Sequence, residues 1–361
     1  MKIPGPVVLD LSFWKRRRVL VTGHTGFKGA WLSLWLQSLG AEVTGISRGV
    51  PTSPSLYELA RVGAGMRELT ADVCDAGAVR EAVRAARPEL VLHLAAQPMV
   101  RRSLHDPVAT YAVNVMGTAN LLDAVRTEGE GVLGVVVVTS DKCYENAGER
   151  GQRFIESDPL GGSDPYSSSK ACAELVTAAY TRSFFHAGGA PAVASARAGN
   201  VLGGGDWGED RLVPDTVRAV EAGRPLQVRN PGAVRPWQHV LSPLSGYLRL
   251  AQELAVDPER RAARAWNFGP PAGDEQTVGR VIELLQDLWG GELQWQRDER
   301  ENPPEASHLA LDSSAAEQLL GWRPAWPLQD SLELVVDWHR AHRDGQDMRA
   351  VSLEQIARLR S

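Results

Sequence analysis

The chain has 361 residues, of which 43% are hydrophobic and 23% are charged, and its formal net charge is −5 at pH 7. These values are typical of a globular protein with one large or two ordinary domains, and they exclude a disordered chain or a coiled coil. The acidic balance, with no basic cluster beyond residues 15–18, argues against nucleic acid as the main partner.

The cysteines and the apolar runs predict the compartment. Cys74, Cys143 and Cys172 show no CxxC or Cys/His metal spacing, which indicates a reducing compartment, no disulfide framework and no metal site. Residues 1–18 do not have the pattern of a targeting segment, because prolines, a glycine and an acidic residue interrupt any apolar run there. No apolar run reaches the roughly 18 residues that span a bilayer. We therefore expect a cytoplasmic protein with no membrane segment.

A glycine-rich loop follows the first predicted strand, residues 18–22, and opens a helix predicted over residues 30–39. The loop consists of Gly23, His24, Thr25, Gly26, Phe27, Lys28 and Gly29. Glycines here allow a tight turn and a close approach of backbone N–H groups to a pyrophosphate, and the helix N-terminus adds partial positive charge. Such a triplet alone could be merely a turn. Its place inside a βαβ unit favours dinucleotide binding.

The second strand, predicted over residues 42–47, does not end in the acidic residue that would hold a ribose 2′-hydroxyl. It is followed instead by Arg48, which could accept a 2′-phosphate, so NADP stays open beside NAD. A third strand is predicted over residues 67–73. It places Asp72 near an adenine amino group and Val73 against the ring, although Asp72 could equally be a turn residue.

The fourth strand, predicted over residues 90–96, ends in Leu94, Ala95 and Ala96, and its small residues would let a nicotinamide ribose lie close. A helix is then predicted over about residues 107–127. It carries Tyr111 and Asn114, and its apolar positions suggest packing on the sheet or on a partner subunit.

Residues 135–139 are a β-branched run without polar alternation, which predicts a strand buried on both faces of a parallel sheet. Its carboxyl end is a predicted reaction site, because open α/β sheets bind ligands beyond that edge. Three side chains with possible chemical roles follow it at once: Ser140, Asp141 and Lys142.

Tyr166 and Lys170 lie one turn apart on a helix predicted over residues 166–185. An ammonium near a phenol favours the phenolate and pulls a pKa near 10 toward the working pH, which makes Tyr166 a candidate base. The two could instead be an ordinary amphipathic pair. The polar residues that end the preceding strand favour the catalytic interpretation.

The second half of the chain begins with a buried strand predicted over residues 192–197, after which the βα rhythm becomes irregular and rich in proline. We predict a dinucleotide-binding domain over residues 1–190 and a mainly substrate-binding portion over residues 191–361, with some strands returning to the main sheet. Arg211, Arg229 and Arg235 suit phosphate oxygens. For Arg235 the alternative is a surface ion pair. Trp207 and Trp237 could stack on a ring or simply pack.

With these residues the chain resembles the extended short-chain dehydrogenases/reductases and, within that superfamily, the family of CDP-glucose 4,6-dehydratases. The glycine loop and the Tyr166/Lys170 pair are features of the superfamily, whereas residues 141–146 and 235–239 are similar to the CDP-sugar branch. The resemblance covers roughly residues 13–340. It implies an α/β fold with a Rossmann-type doubly wound parallel sheet and a smaller C-terminal substrate-binding portion.

The resemblance also implies a reaction, in which Ser140, Tyr166 and Lys170 match the residues for hydride transfer and Asp141 and Lys142 match the dehydratase pair. Sugar C4 is oxidised while hydride moves to NAD, water leaves across C5 and C6 with Asp141 as the acid, and the hydride returns to C6. The implied substrate is CDP-glucose, and the implied context is deoxysugar or O-antigen biosynthesis by a homodimer or homotetramer.

Binding residues follow from the same resemblance. The implied cofactor contacts are residues 23–29, Asp72, Val73, Leu94, Ala95, Ala96, Tyr166 and Lys170. The implied substrate contacts are Gln97, Asn200, Arg211, Arg235 and His239.

Three positions depart from the pattern of related families. Related dTDP-sugar dehydratases carry Glu where this chain has Lys142, so the group that removes the C5 proton stays open. Ser163 stands where the family has an aromatic residue, and Ile46 where it has Tyr. Nearby contacts to substrate or adenosine are therefore expected to differ.

Two rival functions would use the same cofactor loop. A nucleotide-sugar 4-epimerase would share Ser140, Tyr166 and Lys170, but it needs no acid at C6, so Asp141 beside Lys142 argues against it. A dehydratase for another NDP-hexose is a closer alternative. A non-catalytic dinucleotide sensor would have no reason to keep the hydroxyl, Tyr and Lys together.

Overall fold

The computed structural model of the chain describes residues 10–271, 273–300 and 306–359. Residues 1–9 lie outside the described residues. They form the first half of residues 1–18, for which the sequence predicted no targeting segment. The strands in these ranges are β1 (Arg18–Thr22), β2 (Glu42–Ser47), β3 (Arg67–Thr70), β4 (Leu90–His93), β5 (Gly134–Val138), β6 (Ala192–Ala198), β7 (Val201–Leu202), β8 (Leu226–Val228), β9 (Val234–Pro236), β10 (Gln238–His239), β11 (Ala265–Phe268), β12 (Glu275–Thr277) and β13 (Trp295–Arg297).

Helices alternate with the strands through the first half of the chain, and five α-helices lie among the shorter strands and loops in the described part of the second half. The α-helices are α1 (Leu11–Trp14), α2 (Phe27–Ser38), α3 (Leu56–Leu59), α4 (Ala76–Ala86), α5 (Val100–His105), α6 (Pro107–Tyr111), α7 (Gly117–Glu128), α8 (Pro165–Ser183), α9 (Leu212–Glu221), α10 (Leu241–Val256), α11 (Val278–Leu288), α12 (Leu328–Arg343) and α13 (Met348–Arg358). Short 3₁₀ segments cover Val62–Gly65 and Asp141–Cys143, and π-helical segments cover Ala112–Met116 and Ala316–Leu320.

Seven strands form one parallel sheet in the order β11-β6-β5-β4-β1-β2-β3. The chain winds outward from β1 in one direction and returns to wind outward from β4 in the other. The strand order therefore reverses between β1 and β4, where open α/β sheets leave a ligand crevice at their carboxyl ends. The predicted α/β fold with a doubly wound parallel sheet is confirmed.

Strand β5 shows why the apolar run in the sequence becomes a central strand. Its alternate valines pack into different cores, Val136 and Val138 on one face of the sheet and Val135 and Val137 on the other. The first core includes α2 and α10, and the second includes α4 and α7. Because both faces are covered, a strand without polar alternation is the stable choice here.

The C-terminal half contributes to both parts of the molecule. Strands β6 and β11 lie in the main sheet, while α9, α11 and α12 form a separate core with three short strand pairs beside it. The two halves therefore share the sheet, and the boundary at residue 190 stays a prediction about the binding roles of the two portions.

Observed elements differ from the predicted ones mainly at their ends. Strand β3 ends at Thr70 and β4 at His93, so Asp72 and residues 94–96 lie in the loops that follow them. The helix predicted over residues 107–127 is present as α6 and α7, joined by the π-helical segment Ala112–Met116. Loop positions at the carboxyl edge suit binding residues, because they point beyond the sheet.

Candidate active site

The carboxyl end of β5 carries three of the predicted catalytic residues. Ser140 caps the one-turn helix Asp141–Cys143, because its Oγ accepts a hydrogen bond from the Lys142 N–H at 3.3 Å. The same hydroxyl donates to Oδ1 of Asp141 at 2.9 Å. All three residues line one large cleft at this edge of the sheet.

Helix α8 brings Tyr166 and Lys170 to the same cleft. The helix begins at Pro165, and the side chain of Asp164 caps it by accepting from the Ser167 N–H at 2.9 Å. Nζ of Lys170 donates to the carbonyl oxygen of Val138, the last residue of β5, at 3.3 Å. The helix and the strand end are therefore tied together at the predicted reaction site.

Burial controls the charge states of this pair. It raises the pKa of Tyr166 to about 12; a hydrogen bond from Ser140 opposes the increase, and the charge of Asp141 adds to it. Burial also lowers the pKa of Lys170 to about 8, which the Glu174 carboxylate partly opposes. The sequence predicted that Lys170 would lower the pKa of Tyr166. In this structure desolvation of the phenol has the larger effect, since it disfavours the charged form.

Asp141 is suited to act as an acid. Its side chain is buried, and its Oδ2 has no hydrogen-bond partner among the described residues. Burial raises the pKa of this carboxyl, while the charge of Lys142, the Ser140 hydroxyl and the charge of Arg235 each lower it by less. A raised pKa keeps the proton on the carboxyl at higher pH, and a protonated acid with a free oxygen can donate to a ligand.

The glycine loop forms the other wall of the cleft. Gly23 has a φ of +73°, and a Cβ there would lie 2.8 Å from the backbone of Ala95. A Cβ on Gly29 would lie 2.1 Å from the carbonyl oxygen of Gly23. Both positions therefore require glycine. The loop leads into the 12-residue helix α2, so bare backbone and a helix N-terminus face the cleft together and fit a pyrophosphate.

Three side chains of the glycine loop also line the cleft: Thr25, Phe27 and Lys28. Burial lowers the pKa of Lys28 to about 8; the charge of Asp141 raises it, and the charges of Lys170 and Arg211 lower it further. Lys28 therefore lies within electrostatic range of the catalytic groups, a role that its place in the loop did not reveal.

The side chain of His24 does not line the cleft. It is buried against the sheet, where Nε2 pairs with Oε1 of Glu68 at 2.9 Å. The predicted contact of His24 with the cofactor stays a prediction, and this position of the imidazole leaves it to the backbone of His24. His24 instead links the loop to β3, because Glu68 lies on that strand.

The residues predicted to contact the adenosine and the nicotinamide ribose also line the cleft. Asp72 and Val73 were predicted for the adenosine, and Leu94, Ala95 and Ala96 for the nicotinamide ribose. Asp72 accepts from the Cys74 N–H at 2.9 Å and pairs with Arg48 at 3.6 Å. Arg48 is thus engaged by a carboxylate at the edge of the cleft, which disfavours a bound 2′-phosphate.

Four predicted substrate residues also line the cleft: Gln97, Asn200, Arg211 and Arg235. Arg235 is only 5% exposed, so it is not a surface ion pair. Arg211 pairs with Asp206 at 2.9 Å. The amide of Gln97 is used within its own loop, where Nε2 donates to the Met99 carbonyl at 3.0 Å and Oε1 accepts from the Met99 N–H at 2.6 Å.

His239 is the predicted substrate residue that the structure does not place in the cleft. Its side chain is fully buried between the rings of Trp31 and Trp326. Burial lowers the pKa of His239 to about 3, so the imidazole is neutral. This position does not support the predicted substrate contact of His239, because β10 turns the side chain into the core under α2.

Sequence reasoning missed the roles of two further groups. Asn114, in the π-helical segment, accepts from the Gln97 N–H at 2.8 Å and donates to Ser169 Oγ at 2.8 Å, so it ties the loop after β4 to α8. Arg101 and Arg229 both pair with Oδ1 of Asp210 at 3.0 Å across the cleft. The sequence indicated Asn114 on a predicted helix and Arg229 as a candidate for phosphate oxygens, but it predicted neither the π-helical segment nor these contacts.

The cleft has a volume of ≈ 2040 Å³, about twice the upper end of the range of roughly 300–1,000 Å³ for single-ligand pockets. It therefore has room for a dinucleotide and a second ligand together. The described residues contain no cluster of His, Cys, Asp or Glu that could hold a metal ion. None of the helices in the described part of the chain is long and apolar enough to cross a membrane.

Comparisons with known proteins agree with this geometry. Over 97% of its length the chain is 46% identical to the CDP-glucose 4,6-dehydratase of Salmonella typhimurium, of which it covers 98%. It is 32% identical to the dTDP-glucose 4,6-dehydratase of Streptomyces griseus, with 75% of this chain and 77% of that one covered.

Solved structures of nucleotide-sugar dehydratases and epimerases are similar to this chain. The dTDP-glucose 4,6-dehydratase DesIV of Streptomyces venezuelae, solved with NAD bound, matches with a TM-score of 0.77 and 27% identity over 92% of this chain and 99% of that one. The UDP-glucose 4-epimerase of Thermus thermophilus, in complex with NAD, matches with a TM-score of 0.76 and 28% identity over 89% and 98%. Residues 20–335 match the family described as GDP-mannose 4,6 dehydratase, and the chain therefore belongs to that family.

Proposed function

We propose that the protein is an NAD-dependent CDP-glucose 4,6-dehydratase, a hydro-lyase that forms CDP-4-keto-6-deoxyglucose. The observation that carries this proposal is the buried Asp141 carboxyl with a free oxygen, next to Lys142 and facing the same cleft as Tyr166. An epimerase shares the tyrosine and the lysine but has no use for this acid. The 46% identity to the Salmonella enzyme supports the choice of a CDP sugar.

The residues present fit NAD. Gly23, Gly26 and Gly29 would hold the pyrophosphate, Asp72 and Val73 the adenosine, and residues 94–96 the nicotinamide ribose. When bound, NAD accepts the hydride from C4 and returns it to C6, and its oxidised ring contributes positive charge that favours the Tyr166 phenolate.

Oxidation depends on three side chains of this protein. Tyr166 takes the proton of the C4 hydroxyl. The Ser140 hydroxyl, which is hydrogen-bonded to the Tyr166 phenol, orients the C4 oxygen of the sugar. The Lys170 ammonium, anchored on the Val138 carbonyl, contributes charge that favours the phenolate. The burial that raises the pKa of Tyr166 also keeps water away from the reacting atoms.

Elimination depends on the pair that follows Ser140. A C4 ketone makes the C5 proton acidic, and Asp141 protonates the leaving C6 hydroxyl, since burial raises the pKa of this carboxyl and so favours its acid form. Lys142 lines the cleft beside it. It either removes the C5 proton or stabilises the negative charge that develops on the C4 oxygen.

Arginines support binding of the nucleotide diphosphate. Arg235 and Arg211 line the cleft, and a guanidinium can bind phosphate oxygens through two parallel hydrogen bonds. The predicted homodimer or homotetramer stays part of the proposal. It is supported by Val108, Met116 and Leu175, which are 78%, 55% and 57% exposed on neighbouring helical segments.

The function is tested by incubating the enzyme and NAD separately with CDP-, dTDP-, GDP- and UDP-glucose, followed by mass analysis. We expect loss of one water from the CDP sugar alone. A product of unchanged mass with an inverted C4 would establish the epimerase. Dehydration of another sugar would correct the nucleotide, and no change with any sugar would support a sensor.

Cofactor preference gives a first prediction. Because Arg48 pairs with Asp72, we expect fluorescence titration of the nucleotide-free protein to show tighter binding of NAD than of NADP. The Asp72→Asn variant should narrow this difference, since it releases Arg48 for a 2′-phosphate. Tighter binding of NADP by the unmodified protein would contradict the choice of NAD.

A second prediction concerns Arg235. If its guanidinium binds the diphosphate equally in the ground and transition states, Arg235→Ala should raise KM about 10-fold or more and leave kcat nearly unchanged. Arg224→Ala, an exposed arginine outside the cleft, is the matched control. An unchanged KM for Arg235→Ala would exclude the diphosphate contact.

A further inference from the structure

A buried carboxylate lies behind the catalytic residues, outside the cleft. Glu174 is 4% exposed, and its Oε1 accepts a hydrogen bond from the Thr139 hydroxyl. Its Oε2 accepts from Ser195 Oγ at 2.6 Å and from Nη2 of Arg197 at 2.8 Å. One side chain therefore joins α8, the end of β5 and the middle of β6.

Two of these elements hold the reacting groups. Thr139 directly precedes Ser140, and Glu174 lies one helical turn after Lys170, on the same face of α8. Lys170 donates in turn to the carbonyl of Val138, the residue before Thr139. The position of the Ser140 hydroxyl relative to the Lys170 ammonium thus depends on contacts that Glu174 completes.

The charges around Lys170 also single out Glu174. Five ionisable groups surround Lys170. Tyr166 and Glu174 lie on its own helix, Cys143 in the turn after β5, His93 on β4 and Lys28 on α2. Burial keeps His93 neutral, with a pKa of about 3, and raises the pKa of the Cys143 thiol well above its ordinary value. Lys28 is itself cationic. Glu174 is then the carboxylate in this group that favours the ammonium form of Lys170.

Arg197 is the cationic partner of that carboxylate, with Nη2 of Arg197 2.8 Å from Oε2 of Glu174. The two side chains are each only 4% exposed, and Arg197 also donates to the Tyr144 hydroxyl at 2.8 Å and to the Glu156 carbonyl at 3.1 Å. Arg197 and Glu174 therefore form a buried ion pair directly behind Lys170, held in place by the other hydrogen bonds of the guanidinium.

We propose that Glu174 is a positioning residue for hydride transfer, which fixes the end of β5 against α8 and places a carboxylate one helical turn behind Lys170. Its effect on turnover rests on the proposed function. Its effect on Lys170 does not, since the lysine can be measured in the protein without substrate.

The test is competitive labelling of the full chain with acetic anhydride over a range of pH, read at Lys170 by peptide mass spectrometry with exposed Lys15 as the reference. The unmodified protein should show a midpoint near the Lys170 pKa of about 8. In Glu174→Gln the midpoint should move to lower pH by on the order of one pH unit, because the lost carboxylate favoured the ammonium. The basic limb of the activity profile should move the same way.

Two further variants keep the result decisive. The double variant Glu174→Gln/Arg197→Met removes both members of the buried ion pair, so no unpaired arginine is left in the interior. It therefore tests the shift of the Lys170 midpoint even if Glu174→Gln alone folds poorly. Ser195→Ala removes a hydrogen bond to Glu174 but keeps its charge, so it should leave the Lys170 midpoint in place. An unmoved midpoint in both Glu174 variants, or an equal shift in Ser195→Ala, would overturn the proposal. Absence of dehydratase activity in the unmodified protein would overturn only the proposed function.

Discussion

The Tyr166→Phe variant is expected to lose CDP-glucose dehydration by about 10²–10⁴-fold and to form no reduced cofactor. The phenol is the group that takes the C4 hydroxyl proton, and without it neither oxidation nor the later steps can begin. Absorbance at 340 nm after mixing with stoichiometric CDP-glucose measures the first step, and product mass measures the whole reaction.

Tyr180→Phe is the matched control for this variant. Tyr180 lies on the same helix, outside the cleft, so removal of its hydroxyl should change neither signal. Undiminished formation of reduced cofactor in Tyr166→Phe would show that another group is the base. Because burial raises the pKa of Tyr166 to about 12 in this structure, such a result would point to the phenol as an orienting group only.

The Lys142→Met variant should give the opposite spectroscopic result. Lys142 belongs to elimination, so C4 oxidation should proceed while loss of water slows about 10²-fold or more. Reduced cofactor should then accumulate and persist at 340 nm, although the unmodified enzyme returns it to the oxidised form in each turnover. The methionine keeps much of the length of the side chain and removes its charge.

Lys15→Met, at an exposed position outside the cleft, is the control for Lys142 and should leave both steps unchanged. Loss of oxidation and elimination together in Lys142→Met would contradict a role specific to elimination. It would mean that the charge of Lys142, which lowers the pKa of Asp141, is needed to hold the site in its active arrangement.

The sequence alone was sufficient for the features that depend on local pattern. The valine run of β5 is buried on both faces, the glycine loop lies between β1 and α2, and the four-residue spacing of Tyr166 and Lys170 places both side chains in one cleft. Each of these follows from the geometry of a few neighbouring residues, since a strand has a period of two and a helix has 3.6 residues per turn.

The tertiary structure decided which polar residues reach the cleft and what charge they carry. His24 and His239 turn into packed surroundings, Lys28 lies near Asp141, and burial raises the pKa of Tyr166. The pairing of Glu174 with Arg197 joins residues from different elements. Such outcomes depend on contacts between distant parts of the chain and on desolvation, which no local sequence pattern contains.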